Sequence, residues 1–482
     1  MKTQLLDQRR IARLCGLLAC GLTFTLGASP LAQPAVAAVH PQETEVLGEE
    51  TLLANIPEGM SLEGLPIQLA NGDVHQRRNQ IYWAADGRKV AYIGVMDGKQ
   101  HPVIGDDLFE PSQFLAGPTF SANGKHVVFR TGRRLSPSKE SWLVLYDGQP
   151  GRKKEDWLGS IALSPDGQRM AYWTQPGAKV VAKGPDKGAY KPSSQVLVVL
   201  EKRGKKWKRW ESPKAQDATS LTPPVFSKDG QTVLTICNYR GEWKAMRYTA
   251  GERKPSFEGS FLSIPQQLTL RPSGEGWAAT SKRYGTSNGG RFQQEGSDLL
   301  VDGERLANPF TSMASPRFAP VGKSIAYKVH DGSKFGIGVD GASTTPKYEF
   351  VFAPQFSPDA SRIAYVAAAG CTPNLDFGIA WHAEDSLREQ GGERFVIIED
   401  LEQRNPQQGS SWLEIRDLTF SPDGAQLAYA ARSAEGWQIV VDEEAGPIHD
   451  EVGSPRFTSE KNSAVYGSRD GNELWWRVWK KH

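Results

Sequence analysis

Few residues of this chain stand in an arrangement that chemistry would need, and each has a competing structural use. Gly285-Thr286-Ser287-Asn288-Gly289 spells the Gly-x-Ser-x-Gly of a nucleophile elbow, but that elbow works at a strand-to-helix turn of an α/β sheet. Here the run sits in a Gly- and Ser-rich loop, so Ser287 is expected to be inert. The eight histidines are scattered, without the short spacing or cysteine partners of a zinc site. His382 lies nearest to other ligands, with Asp376, Glu384 and Asp385, and the group reads as solvated loop charge. No catalytic residue, cofactor or metal is therefore expected. The run Lys205-Lys206-Trp207-Lys208-Arg209-Trp210 interleaves basic and aromatic side chains, as single-strand nucleic-acid and polysaccharide surfaces do. It equally suits an outer strand whose tryptophans pack inward while lysines lie across the edge and hinder edge-to-edge pairing, which is the reading preferred.

A register runs beneath these residues. An apolar residue, a Ser-Pro-Asp-Gly-like turn and a short apolar strand recur, most clearly at Phe420 to Tyr429 and Leu163 to Tyr172. With the turn glycine as anchor, nine copies sit at Gly87, Gly124, Gly167, Gly230, Gly274, Gly322, Ala360, Gly424 and Lys461. Four residues before every anchor stands a large apolar residue, and five after it an aromatic, except at Thr235 and Ala279. Asp-Gly between alternating apolar runs makes a tight hairpin, because Gly accepts the positive φ needed there. Asp86, Asp166, Asp229, Asp359 and Asp423 might pass for a ring of acids, but their first task is to hold these turns.

A third run rich in Val, Ile and Leu follows each hairpin, as at Val196 to Leu200 and Ile439 to Val441, and a poorer fourth leads to the next anchor. Anchor spacings of 37, 43, 63, 44, 48, 38, 64 and 37 residues suit one four-stranded propeller blade apiece. A blade cannot bury both faces alone, so neighbours must stack and the ring must close. The predicted fold is all-β, a single β-propeller of four-stranded blades, eight or nine of them, over residues 66–482. The last copy ends after its third strand, and Pro66 to Leu69 is expected to supply the missing outer one.

The repeats resemble the Ser-Pro-Asp-Gly propeller family that includes the bacterial envelope protein TolB and is similar to WD repeats. Trp437-Gln438-Ile439-Val440-Val441-Asp442 through Asp450-Glu451-Val452-Gly453-Ser454-Pro455-Arg456-Phe457 resembles its version with a Val-Val-Asp-Gly third strand. The likeness runs from about Ile81 to the C-terminus. It implies a propeller and little about function, since such propellers bind, scaffold and catalyse. The helical N-terminal domain of TolB has no counterpart here, so TolB's own partnership is not implied.

The extra residues of the longest repeats fall between the second and third strands of the third and seventh units, with smaller excesses in the second and fifth. In a four-stranded blade these loops emerge on one face with the connections between blades, where propellers build recognition surfaces. The second unit offers Arg130, Arg133, Arg134 and Lys139, and the third Lys179, Lys183, Lys187 and Lys191. The seventh offers Asp376, Glu384, Asp385, Glu389 and Glu393. A basic and an acidic sector are thus the candidate ligand-binding loops.

The N-terminus carries Lys2, Arg9, Arg10 and Arg13 ahead of an uncharged stretch from Leu14 to Val39. It reads as a secretory signal over residues 1–37, with Ala35-Val36-Ala37 at the cleavage site. Residues 38–65 read as a linker. Pro30, Gln33 and Pro34 interrupt the apolar stretch and leave it short for a membrane span. Cys15 and Cys20 leave with the signal, and Cys237 and Cys371 fall in units too far apart to pair. Lysine and arginine total 57 against 55 acidic residues, a net +2, so no global field steers the chain to nucleic acid or anionic lipid. The expectation is a periplasmic or secreted, monomeric, non-catalytic propeller that binds a protein, peptide or glycan. A propeller hydrolase or lyase with polar groups converging on the channel is the alternative.

Overall fold

The structure is a computed structural model that describes residues 49–65, 80–181, 194–215, 222–261, 265–286, 292–307, 310–343, 346–372, 391–459 and 463–480, with the backbone of 67–68 and 74–75. Among the described residues every regular element is a strand.

The turns at the described anchors form as their residues require. Gly167 N donates to Ser164 O at 2.8 Å, and Gly424 N to Ser421 O at 2.8 Å. Gly87, Gly124, Gly167, Gly230 and Gly424 have φ between 69° and 71°, a region open to glycine at no steric cost. The serine hydroxyls donate to the turn aspartates, at 2.5 Å for Ser164–Asp166, Ser227–Asp229 and Ser421–Asp423 and 2.6 Å for Ser357–Asp359. A second set of acids repeats just after the third strands. Asp147, Asp302, Asp340 and Asp442 accept from the amides of Val127, Trp277, Ile325 and Leu427 at 2.9, 2.7, 2.8 and 2.9 Å. Each of these carboxylates thus ties the end of a third strand to the start of the second.

Hairpin by hairpin, the strands build nine blades among the described residues. Blades 1 to 4 open on Ile81–Trp83, Phe114–Phe120, Leu158–Leu163 and Val225–Phe226. Blades 5, 6 and 8 open on Pro265–Leu270, Ser312–Phe318 and Glu414–Phe420. Blade 7 opens on the split pair Phe350–Val351 and Gln355–Phe356, and blade 9 on Glu451–Val452 and Arg456–Phe457. From blade 2 to blade 6 and from blade 7 to blade 9 these first strands approach one another, which places them innermost, around the channel.

Nine apolar clusters fill the nine junctions, each drawn from two adjacent blades. The residue five past each anchor is at most 2% exposed, from Tyr92 to Tyr466, with Thr235 and Ala279 included. The aromatic register therefore marks the packing between blades.

Closure uses Glu50–Asn55, which lies antiparallel on Glu473–Lys480 with Glu50 opposite Arg477 and Asn55 opposite Glu473. Ala54, Ile56 and Leu62 join Leu474 of blade 9 and Ile81, Val90 and Tyr92 of blade 1 in the closing cluster. Trp476 Nε1 donates to Asp86 O at 3.0 Å across the same junction. Two expectations are corrected here. The outer strand is not the segment from Pro66 to Leu69, where Ile67–Gln68 instead pairs with Val74–His75 in a separate hairpin. Residues 38–65 are also more than a linker, since they contain the closing strand.

Candidate functional site

In blades 6 to 9 the innermost strand breaks seven residues before the anchor. Blade 6 slips register between Ala314 and Arg317 with Ser315 at φ 52°, and blade 8 between Arg416 and Thr419 with Asp417 at φ 61°. Blades 7 and 9 are split at the same place, around Ala353 and Ser454. Blade 2 makes the same break with Gly117 at φ 110°. Bulges re-aim the side chains that follow them, and left-handed backbone at a non-glycine residue is a strain that surrounding structure must hold.

The four consecutive breaks line a cavity of ≈ 630 Å³. Its wall carries Arg317, Arg394, Arg416 and Arg456 against two carboxylates, Glu414 and Asp417. Arg317, Gln355 and Arg456 are exposed, whereas Arg394 is buried. Arg416 Nη2 donates to Val452 O at 2.7 Å, and its guanidinium lies 4.1 Å over the Trp437 ring. Both acids face cations: Glu414 Oε2 is 3.4 Å from Arg432 Nε, and Asp417 Oδ2 is 3.9 Å from Arg416 Nε. Half-buried Phe352 and Leu418 supply apolar wall beside the charges. Guanidinium groups present planar donor forks that match carboxylate and phosphate oxygens. The chemistry on offer is recognition of an anion next to an apolar surface.

Sequence reasoning placed recognition elsewhere. Arg130, Arg133, Arg134 and Lys139 lie on the paired strands Val127–Ser136 and Lys139–Tyr146, not in a loop. Arg130 is partly buried, and its Nη1 donates to Leu158 O at 3.1 Å. Its pKa is pushed down by burial. Arg134 is exposed and pairs with the buried Glu140 at 2.5 Å, while Arg133, Lys139 and Lys179 are also exposed. Glu393 opens the third strand of blade 7. Lys183, Lys187, Lys191, Asp376, His382, Glu384, Asp385 and Glu389 lie outside the described residues, as does Ser287. What the structure gathers is Arg317, Arg416 and Arg456. The signal for Arg317 and Arg456 was in view, since Ser-Pro-Arg-Phe occurs twice, at Ser315 to Phe318 and Ser454 to Phe457, whereas Arg416 had none.

The Lys-Trp run is the outermost strand of blade 3, Lys206–Glu211. Trp207 packs edge-on to Tyr146 of blade 2 with centroids 5.0 Å apart, and Trp210 against Tyr248 of blade 4 at 4.2 Å. Both indoles are thus engaged with neighbouring blades. Cys237 is buried, its thiol pushed up to about 12 by burial, and both described cysteines are free. Among the described residues no three His, Cys, Asp or Glu side chains are gathered as metal ligands.

No family model matches the chain, and no curated protein matches it in sequence. Solved structures do share its outline. The β-propeller domain of the Trilobed protease from Pyrococcus furiosus is 10% identical, with a TM-score of 0.35, over 77% of this chain and 96% of that one. TolB from Acinetobacter baumannii is 13% identical, with a TM-score of 0.28, over 83% and 78%. Oligogalacturonate lyase from Vibrio parahaemolyticus is 9% identical, with a TM-score of 0.36, over 83% and 96%. The class of the protein, a closed nine-bladed β-propeller, rests on its own sheets and junctions.

Proposed function

We propose that this chain is a non-catalytic binding or scaffold propeller of the TolB-like type. It is exported by its N-terminal 37 residues and acts as a monomer in the periplasm or outside the cell. It takes part of a protein, peptide or glycan ligand into the cavity of blades 6 to 9. The observation that supports this reading is the convergence of three arginines from inner strands of separate blades on one open cavity. A catalytic reading has less support. Glu414 and Asp417 each face an arginine, and the described cavity lining holds no imidazole, amine or thiol to activate the hydroxyls of Thr419 and Ser454.

The test is capture from envelope extract by the mature protein and by Thr419→Trp, which fills the cavity. Loss of the wild-type partner in the filled variant is expected, with capture kept in Arg133→Glu/Arg134→Glu. The reverse pattern would return recognition to the second blade.

A further inference from the structure

In blades 6 to 9 the position two residues past the inner-strand break lines the cavity, and the blade itself makes no demand for charge there. Counting five residues back from each anchor, the other blades hold Tyr82, Thr119, Ala162, Val225, Thr269, Gln355 and Thr419, none of them charged. Arg317 and Arg456 alone depart from that pattern, and both are exposed toward the same cavity. Arg416 is already oriented by Val452 O and the Trp437 ring, which lowers the ordering cost of using it on a ligand.

We infer that the group seated here is a carboxylate carried on an apolar body, gripped by Arg317, Arg456 and Arg416 with its apolar part against Phe352 and Leu418. This rests on the channel-binding reading above. The apolar wall beside the guanidinium groups favours an organic carboxylate over inorganic phosphate. Planar guanidinium forks pair with a carboxylate through two parallel hydrogen bonds. The half-buried Phe352 and Leu418 give the remainder of the ligand a surface that leaves water on binding.

The experiment titrates the full chain with 3-phenylpropionate, its neutral amide and inorganic phosphate, following the arginine Nε–H signals and the heat of binding. The acid should bind about tenfold or more tightly than the amide or phosphate, and more weakly as salt rises. Arg317→Gln/Arg456→Gln should cost the acid about tenfold and leave the amide unchanged. Both positions are exposed, so an unchanged melting curve is expected to accompany that loss. Equal affinity for acid and amide, phosphate binding as tightly as the acid, or an indifferent double variant would each overturn the inference. Thr419→Trp separates the two levels. If it blocks the probes while the double variant does not, the cavity binds but not through charge. If it leaves acid binding intact, the cavity is not the site and both readings fall.

Discussion

Ala360 occupies, at φ 62°, the turn position that glycine holds in the neighbouring repeats. A side chain there costs about 1 kcal/mol relative to its allowed conformations. Ala360→Gly is expected to stabilise the fold by somewhat less than about 1 kcal/mol, since glycine also loosens the unfolded chain. Gly424→Ala should do the opposite, and both are read from urea midpoints at constant slope. Two further residues set the pH response. Burial pushes His449 and His330 below the ordinary histidine range, an effect that Asp470 and Asp331 respectively oppose. A histidine with a depressed folded pKa favours the neutral native state, so its contribution is full above the unfolded pKa of about 6.5 and is lost as pH falls through it. The turn acids behave differently. Hydrogen bonds hold Asp359 at about 2 and Asp229 below its usual value, and Asp166 is lowered through Ser164, Gln168 and Arg169 against burial. Their contribution is present above about pH 4 and is lost below it. Melting temperature should therefore fall in two steps on acidification, and His449→Gln/His330→Gln should remove the upper one.

Gly467 belongs to the second strand of blade 9, and a Cβ placed there would collide with the Trp83 indole of blade 1. Gly467→Ala should cost about 1–3 kcal/mol as overpacking at a junction that cannot yield. Gly391→Ala, where a Cβ meets open space, is the control in the same urea titration. How much of this could be read beforehand differs by element. The eight described anchors mark real hairpins, because Ser, Asp and Gly act locally through hydrogen bonds within a few residues, and Lys461 lies outside the described residues. Glu50–Asn55 was not legible, since Glu-Thr-Leu-Leu-Ala-Asn has little strand preference of its own and takes its conformation from a partner more than four hundred residues away. The second unit's loop vanished into longer strands because Arg130 to Ser136 contains no Pro to break pairing, and the turn waits for Pro137-Ser138. The cavity escaped for a related reason. Arg317 and Arg456 are single departures from a repeat, and only the ring brings them to one place.

At the scale of the whole molecule the ring has one seam, and Glu50–Ile56 carries part of both its hydrogen bonding and its apolar packing. Deleting those residues bares the edge of Glu473–Lys480 and withdraws Ala54 and Ile56 from the junction. Removing one buried Ile alone corresponds to about 1.5–3 kcal/mol of lost burial. The deletion should lower the melting temperature by many degrees and turn the protein toward concentration-dependent association, visible by light scattering, through the open strand edge. The same seam governs when the protein can be finished. Synthesis delivers Glu50–Asn55 before any blade and Glu473–Lys480 after the other described strands, so the first described strand must wait for the last. A nascent chain halted before Glu473 already contains the hairpins of blades 1 to 8, yet it is an open stack with two raw ends. Contacts of such sequence separation form slowly, because long loops must close before they are rewarded. The ring's stability is thus acquired late, once Glu473–Lys480 has been made and has paired with Glu50–Asn55.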